Sequence, residues 1–389
     1  MGLTMLVLLM CWVPVVITAH EAGHAVVARP AGFKLTSFGV GAGRPLIRHR
    51  GRSGAVFYVG RWFWAGGACV AVPRGLDANP REALYHAGGV LAQLVLAAGL
   101  SLLPGGWWWV EPVAHFNLLV LAWNAIPWQL GGARSDGWRF VASLSRGRLL
   151  SAPIFASRSA LRRLLRFEET VGSPVGVWYC RLLLAWSDLL VGRQPDLLAT
   201  ETDPVSVLEP ALDALQQHIV ASGRLAQERP EEALALLAQV RAAHGSSLPM
   251  ASSDLLTLTE ARAQLHRGER GAAQAALARL AGVGGRFGDE ARAIALEIAL
   301  DAGDLVAVRA AAERLSIRGV LDPPSAAAAL WRAGEALGAA GAPLQERAQA
   351  EASRLLMLAE EDDEGPLARR LGGAAGWLAE LHTPGPKLG

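Results

Sequence analysis

The stretch "LTMLVLLMCWVPVVITAHEAGHAVVARP", Leu3 to Pro30, sets an uncharged apolar run against two histidines and a glutamate. Leu3 to Ala19 gives 17 residues without a charge, and such a run spans roughly 25 Å as a helix, against a hydrocarbon core of about 30 Å. His20, Glu21 and His24 therefore fall near the far side of a bilayer. No Lys or Arg precedes the run, as a secretory leader would require, and cleavage near Ala19 would discard the helix that carries the histidines. The segment reads as a retained membrane helix.

Composition agrees. The 389 residues allow two or three domains, and 52% hydrophobic content with a mean hydropathy of +0.27 points to a membrane part. Three widely separated cysteines, Cys11, Cys69 and Cys180, form no C-x-x-C pair, so neither a disulfide framework nor a thiolate zinc site is indicated. Charge is lopsided: Met1 to Arg166 holds 17 Lys and Arg against 5 Asp and Glu, and the remainder holds 20 against 30. The basic half is also the apolar half, so the arginines flank apolar segments and fit membrane topology rather than nucleic-acid binding.

Two further apolar segments, Tyr85 to Pro104 and Pro112 to Leu130, read as a helical hairpin around "GGWWWVE", whose tryptophans suit a membrane boundary. Basic stretches at Arg29 to Arg81 and Arg134 to Arg166 place both on the cytoplasmic side and the amino terminus outside. Glycine-punctuated apolar and aromatic runs between about 31 and 75 predict a small β-loop at the membrane surface. In the connecting region 146–202, "SRSALRRLLRFEE" reads as a basic amphipathic helix, on the inner leaflet or simply solvated. Val175 to Gly192 reads as an interfacial or docking helix, with a fourth span as the alternative. From 203 to 389, Ala-, Leu-, Glu- and Arg-rich runs recur at 231, 271, 306 and 346, suggesting stacked helical pairs, tetratricopeptide-like and solenoidal, or else a plain helical bundle. The fold class is thus mostly α, a polytopic membrane core with a surface β-loop followed by a helical repeat domain.

"HEAGH" is an H-E-x-x-H motif: His20 and His24 lie at i and i+4 on one helical face, able to share a zinc ion, with Glu21 beside the open position. Ionisable groups inside a span are costly, and usually have a partner or a function. A catalytic zinc needs a third protein ligand. Asp136, in "NAIPWQLGGARSDGWRF", follows the third apolar segment at the same membrane boundary and is the candidate, although an Asp-Gly pair there also reads as an ordinary turn.

Over about residues 1–145, the H-E-x-x-H in the first helix, the "SFGVGAG" segment, the N-x-x-P sequence at Asn124 to Pro127 and the later Asp-Gly pair resemble the site-2 protease family of intramembrane zinc metalloproteases. The resemblance implies zinc held by His20, His24 and Asp136, Glu21 as general base, and Asn124 helping to position substrate or oxyanion. Ser37 to Leu46 resembles the family's surface β-loop, which would take an unwound substrate as an added strand at Gly39 to Gly43. The resemblance implies a bilayer-embedded endopeptidase for a membrane-anchored protein in a bacterial-type membrane; the charge distribution puts its site near the cytoplasmic face and, unless 175–192 spans, the helical domain in the cytoplasm, where that domain is the candidate for binding a protein partner. A catalytically silent adaptor is the alternative. Two departures stand out. Nine positions separate Pro127 from Asp136, more than the family usually has, and "AGGVLAQL" replaces the family's A-G-P-x-x-N.

Overall fold

The computed structural model describes residues 2–74, 81–103, 107–130, 133–145, 158–195, 210–317, 320–359 and 364–371. Among them the chain is mostly helical, as expected, with fifteen α-helices, one two-stranded sheet and a two-residue ladder. It divides into two compact units. The described residues of 1–147 and 163–180 build one, and those of 148–162, 181–203 and 207–389 build the other.

The first unit opens with α1 (Gly2–Ala28), long and uncharged until Glu21. It crosses α2 (Glu82–Ser101) at two facing glycines. A Cβ on Gly23 would collide with the Gly88 carbonyl oxygen, and one on Gly88 would lie 2.6 Å from the Gly23 oxygen. Small residues thus let the two backbones touch. Leu3, Leu6, Val7, Leu91, Val95 and Leu119 point outward and are exposed. Among the described residues α1, α2 and α6 (Pro174–Val191) are long and apolar enough to cross a membrane.

Helix α3 (Val110–Ala125) corrects the expected 112–130 helix. It stops at Ala125 because Ile126, with ψ 127°, is extended before Pro127, as the clash between proline and the preceding residue demands. The residues beyond form the ladder of β3 (Gln129–Leu130) and β4 (Ala133–Arg134). Helix α4 (Asp136–Ser145) begins at once.

Strands β1 (Phe33–Arg50) and β2 (Val56–Pro73) are long, bulged and bent, so that each faces the other more than once. Gly39 lies opposite both Ala68 and Tyr58, and Val40 opposite both Gly67 and Val59, while Pro45 to Arg50 lies along Gly60 to Val56. This corrects one expectation. The backbone at Gly39 and Val40 has a neighbour on each side, so it offers no free edge to an added strand; the outer segments are 45–50 and 67–73.

Helix α5 (Arg158–Val171) presents Arg162, Arg163 and Arg166 to the outside, but it is not simply a charged helix lying on a surface. Glu168 is fully buried, and accepts from Thr36 Oγ1 at 3.1 Å and Ser37 Oγ at 3.0 Å in β1. Burial pushes its carboxyl above the usual carboxylate range, against the opposing hydrogen bonds of Ser37, Ser173 and Thr36.

In the second unit four helical pairs follow in order: α7 (Pro210–Ala226) with α8 (Pro230–His244), α9 (Met250–His266) with α10 (Arg270–Ala278), α11 (Gly285–Ala302) with α12 (Leu305–Arg314), and α13 (Pro323–Ala336) with α14 (Ala342–Leu358). The first helix of each pair also packs on the first of the next. Alanines such as Ala214, Ala221, Ala233 and Ala263 are fully buried and allow this close stacking. A short α15 (Glu364–Leu371) packs on α13 and α14. Arg262 of α9 is enclosed by Glu290, Glu297 and Asp322. Glu290 in turn accepts from the Leu321 and Asp322 backbone N–H groups at 2.8 and 3.2 Å.

Candidate metal centre

The two motif histidines come off one face of α1, as their spacing requires, and both are buried, at 9% and 6% exposure. Asp136 (9%) reaches them from the first turn of α4. His20 Nε2 lies 2.7 Å from Asp136 Oδ2, His24 Nε2 lies 3.2 Å from the same oxygen, and the two Nε2 atoms are 3.2 Å apart.

Asp136 gets there through its neighbours. Ser135 Oγ donates to the Ile126 carbonyl at 2.7 Å and accepts from the N–H groups of Trp128 and Trp138, each at 3.1 Å, so it both caps α4 and ties it to the end of α3. A Cβ at Gly137 would collide with the Ala125 carbonyl oxygen, so only glycine lets α4 start this close. The β3–β4 ladder takes up the extra length between Pro127 and Asp136.

The other nitrogens of the two imidazoles are committed. His24 Nδ1–H donates to the Tyr85 carbonyl oxygen at 2.8 Å, which fixes the tautomer, since a carbonyl only accepts. His20 Nδ1 faces Gln93 Oε1 at 3.1 Å. Both Nε2 lone pairs then converge with a carboxylate oxygen. Gly89 leaves the space: a Cβ there would stand 2.5 Å from His20 Cε1 and His24 Nε2.

Glu21 lies against β2. A Cβ on Gly67 would come within 2.9 Å of its Cγ, and the Cys69 backbone N–H faces its carboxylate. The Cys69 carbonyl accepts from the Tyr85 hydroxyl at 2.8 Å. Burial pushes the Cys69 thiol up to about 12, so the residue supplies its peptide groups and no thiolate. Asn124, partly buried on α3, donates from Nδ2 to Gln93 Oε1 at 3.3 Å.

Sequence reasoning assembled His20, Glu21, His24, Asn124 and Asp136 but passed over Gln93, Tyr85, Gly23 and Gly88. Gln93 carried a usable signal, because a lone amide in an otherwise apolar span is costly without a partner.

Two nitrogens and one oxygen form a donor set suited to zinc with a position left open. The three ligand atoms lie within 4.8 Å of one another. Ligand atoms sharing one tetrahedral zinc, with bonds of about 2.0–2.1 Å, would be roughly 3.3–3.4 Å apart. The observed 2.7 to 3.2 Å separations need only a slight spreading of the cluster to fit.

An H-E-x-x-H on a membrane-length helix with a carboxylate closing the set has the make-up of a metallopeptidase centre. The profile of Peptidase family M50 matches residues 8–261, about two thirds of the chain, and the chain belongs to that family. Its members are zinc metalloproteases and integral membrane proteins. The match runs well past residue 145, through α5 and α6 into the first helices of the second unit. No curated protein and no solved structure matches the chain.

Proposed function

We propose that the chain is an intramembrane zinc endopeptidase that cuts a membrane-anchored protein within or near its transmembrane segment, in regulated proteolysis, with its active site near the cytoplasmic face. The observation that carries this reading is the convergence of three buried acceptor atoms, from His20, His24 and Asp136, whose histidines have their other nitrogens already engaged. These three residues would hold the zinc. When bound, the ion supplies a Lewis acid that polarises the scissile carbonyl and acidifies water.

Glu21, adjacent to His20 on the same helix and faced by the Cys69 N–H, takes the proton of the attacking water and returns it to the leaving amine. Asn124, partly buried and joined to the same glutamine oxygen as His20, helps to position the substrate. The outward apolar faces of α1 and α2 meet lipid, and the basic segments set the amino terminus outside. The four helical pairs form a tetratricopeptide-like, cytoplasmic partner-binding domain.

The test is metal content of the detergent-purified full chain together with cleavage of a candidate membrane substrate. The wild type is expected to carry about one zinc per chain, Asp136→Ala to lose it, and Glu21→Gln to keep it while losing cleavage. Cleavage that persists in Glu21→Gln would sink the mechanism.

A further inference from the structure

Gln93 is fully buried in the middle of α2 and joins three helices. Its Oε1 faces His20 Nδ1 of α1 at 3.1 Å and Asn124 Nδ2 of α3 at 3.3 Å, and its backbone oxygen accepts from Asn117 Nδ2, also of α3, at 3.1 Å. Asn117 is itself fully buried. The Nε2 of Gln93 is buried and has no partner among the described residues. Leaving an amide unpaired in an apolar interior is unfavourable, and a leucine or methionine would fill the same space without that cost. The acceptor oxygen is what such a residue would lack.

We infer that Gln93 is a positioning residue for the metal. An imidazole that is to bind a cation through Nε2 must carry its proton on Nδ1, and only an acceptor can face that proton. Gln93 Oε1 provides the acceptor for His20 as the Tyr85 carbonyl does for His24. The difference is that a main-chain carbonyl is present whatever residue stands there, whereas Gln93 is a side chain that substitution can remove. By holding Asn124 with the same atom, Gln93 also couples the orientation of His20 to α3. The inference rests on the zinc reading of His20, His24 and Asp136.

The experiment compares the full chain with Gln93→Met and Gln93→Glu, in detergent. Zinc affinity is read by competition with a chromophoric chelator, and the cobalt-loaded proteins are compared by visible absorption. Methionine keeps the bulk and loses the acceptor; glutamate keeps the acceptor. Zinc affinity is expected to fall about 10- to 100-fold in Gln93→Met, the usual effect of losing an outer partner of a metal-bound histidine, with an altered cobalt spectrum. Gln93→Glu is expected to restore both. Wild-type affinity and spectrum in Gln93→Met, or equal losses in the two variants, would overturn the role of Gln93 while leaving the zinc reading intact. A wild type that takes up no metal would overturn the zinc reading and this inference with it.

Discussion

Replacing Gly23 with alanine tests how closely α1 must approach α2. The new methyl would meet the Gly88 carbonyl oxygen head-on, with Ala92 Cβ at 2.6 Å and the Gly88 carbonyl carbon at 2.7 Å. Carbon atoms rest about 3.5–4.0 Å apart, so the helices would have to separate by roughly 1 Å, since backbone atoms cannot turn aside. His20 and His24 ride on one helix and Gln93 and Tyr85 on the other. The separations of 3.1 and 2.8 Å would both stretch, past the ~3.2 Å limit of a good N–H···O bond. Losing one such partner costs at least about tenfold in metal affinity. Two lost together predict ~100-fold, or about 2.7 kcal/mol. The assay is chelator competition on the purified full chain. Gly99→Ala serves as the control, because that glycine is on α2 and a Cβ there would meet nothing within 4 Å. If Gly23→Ala binds zinc within about threefold of wild type while the protein stays folded, less than 0.7 kcal/mol is at stake and the close-crossing argument fails.

Two other outcomes follow from the buried charges. Glu168 holds its proton more tightly folded than unfolded, so its contribution to stability is present below the ordinary glutamate value and falls as pH rises through its raised folded value. Glu168→Gln is expected to flatten that slope and to match or exceed the wild type at neutral pH; thermal midpoints of both proteins across the acid range check this, and parallel curves would count against it. In the helical unit, Arg262→Met leaves buried Glu290 with its two backbone donors but without its guanidinium partner, and full-chain denaturation is expected to show a loss of about 3 kcal/mol. A change under about 1 kcal/mol would mean that this carboxylate tolerates losing the arginine.

Much of the site was legible because H-E-x-x-H is local: two imidazoles four residues apart share a face wherever the helix goes. Asp136 was harder, because its place depends on a short ladder on either side of Gly131 and Gly132, and a Gly-Gly pair also reads as a mere helix break. The end of α3 was misplaced by hydropathy. Trp128 and Leu130 continue the apolar run, but Pro127 forces Ile126 out of helical geometry. The burial of Glu168 had no clear signal. An acidic residue in "RRLLRFEE" reads as solvated until β1 supplies the hydroxyls of Thr36 and Ser37, more than a hundred positions away. Gly23 fills an unspecified position of H-E-x-x-H and so carries no signal of its own in the motif. Its use emerges only opposite Gly88.

Cys69 meets its neighbours through its peptide group as well as its thiol: its N–H faces Glu21 and its carbonyl accepts from the Tyr85 hydroxyl at 2.8 Å. The N–H that faces Glu21 belongs to the main chain, so any residue that fits the space beside Tyr85 keeps it. Proline is the exception, since it has no N–H to give. A residue that matters in this way leaves almost no mark in a comparison of sequences; what such a comparison can reveal is a single forbidden amino acid.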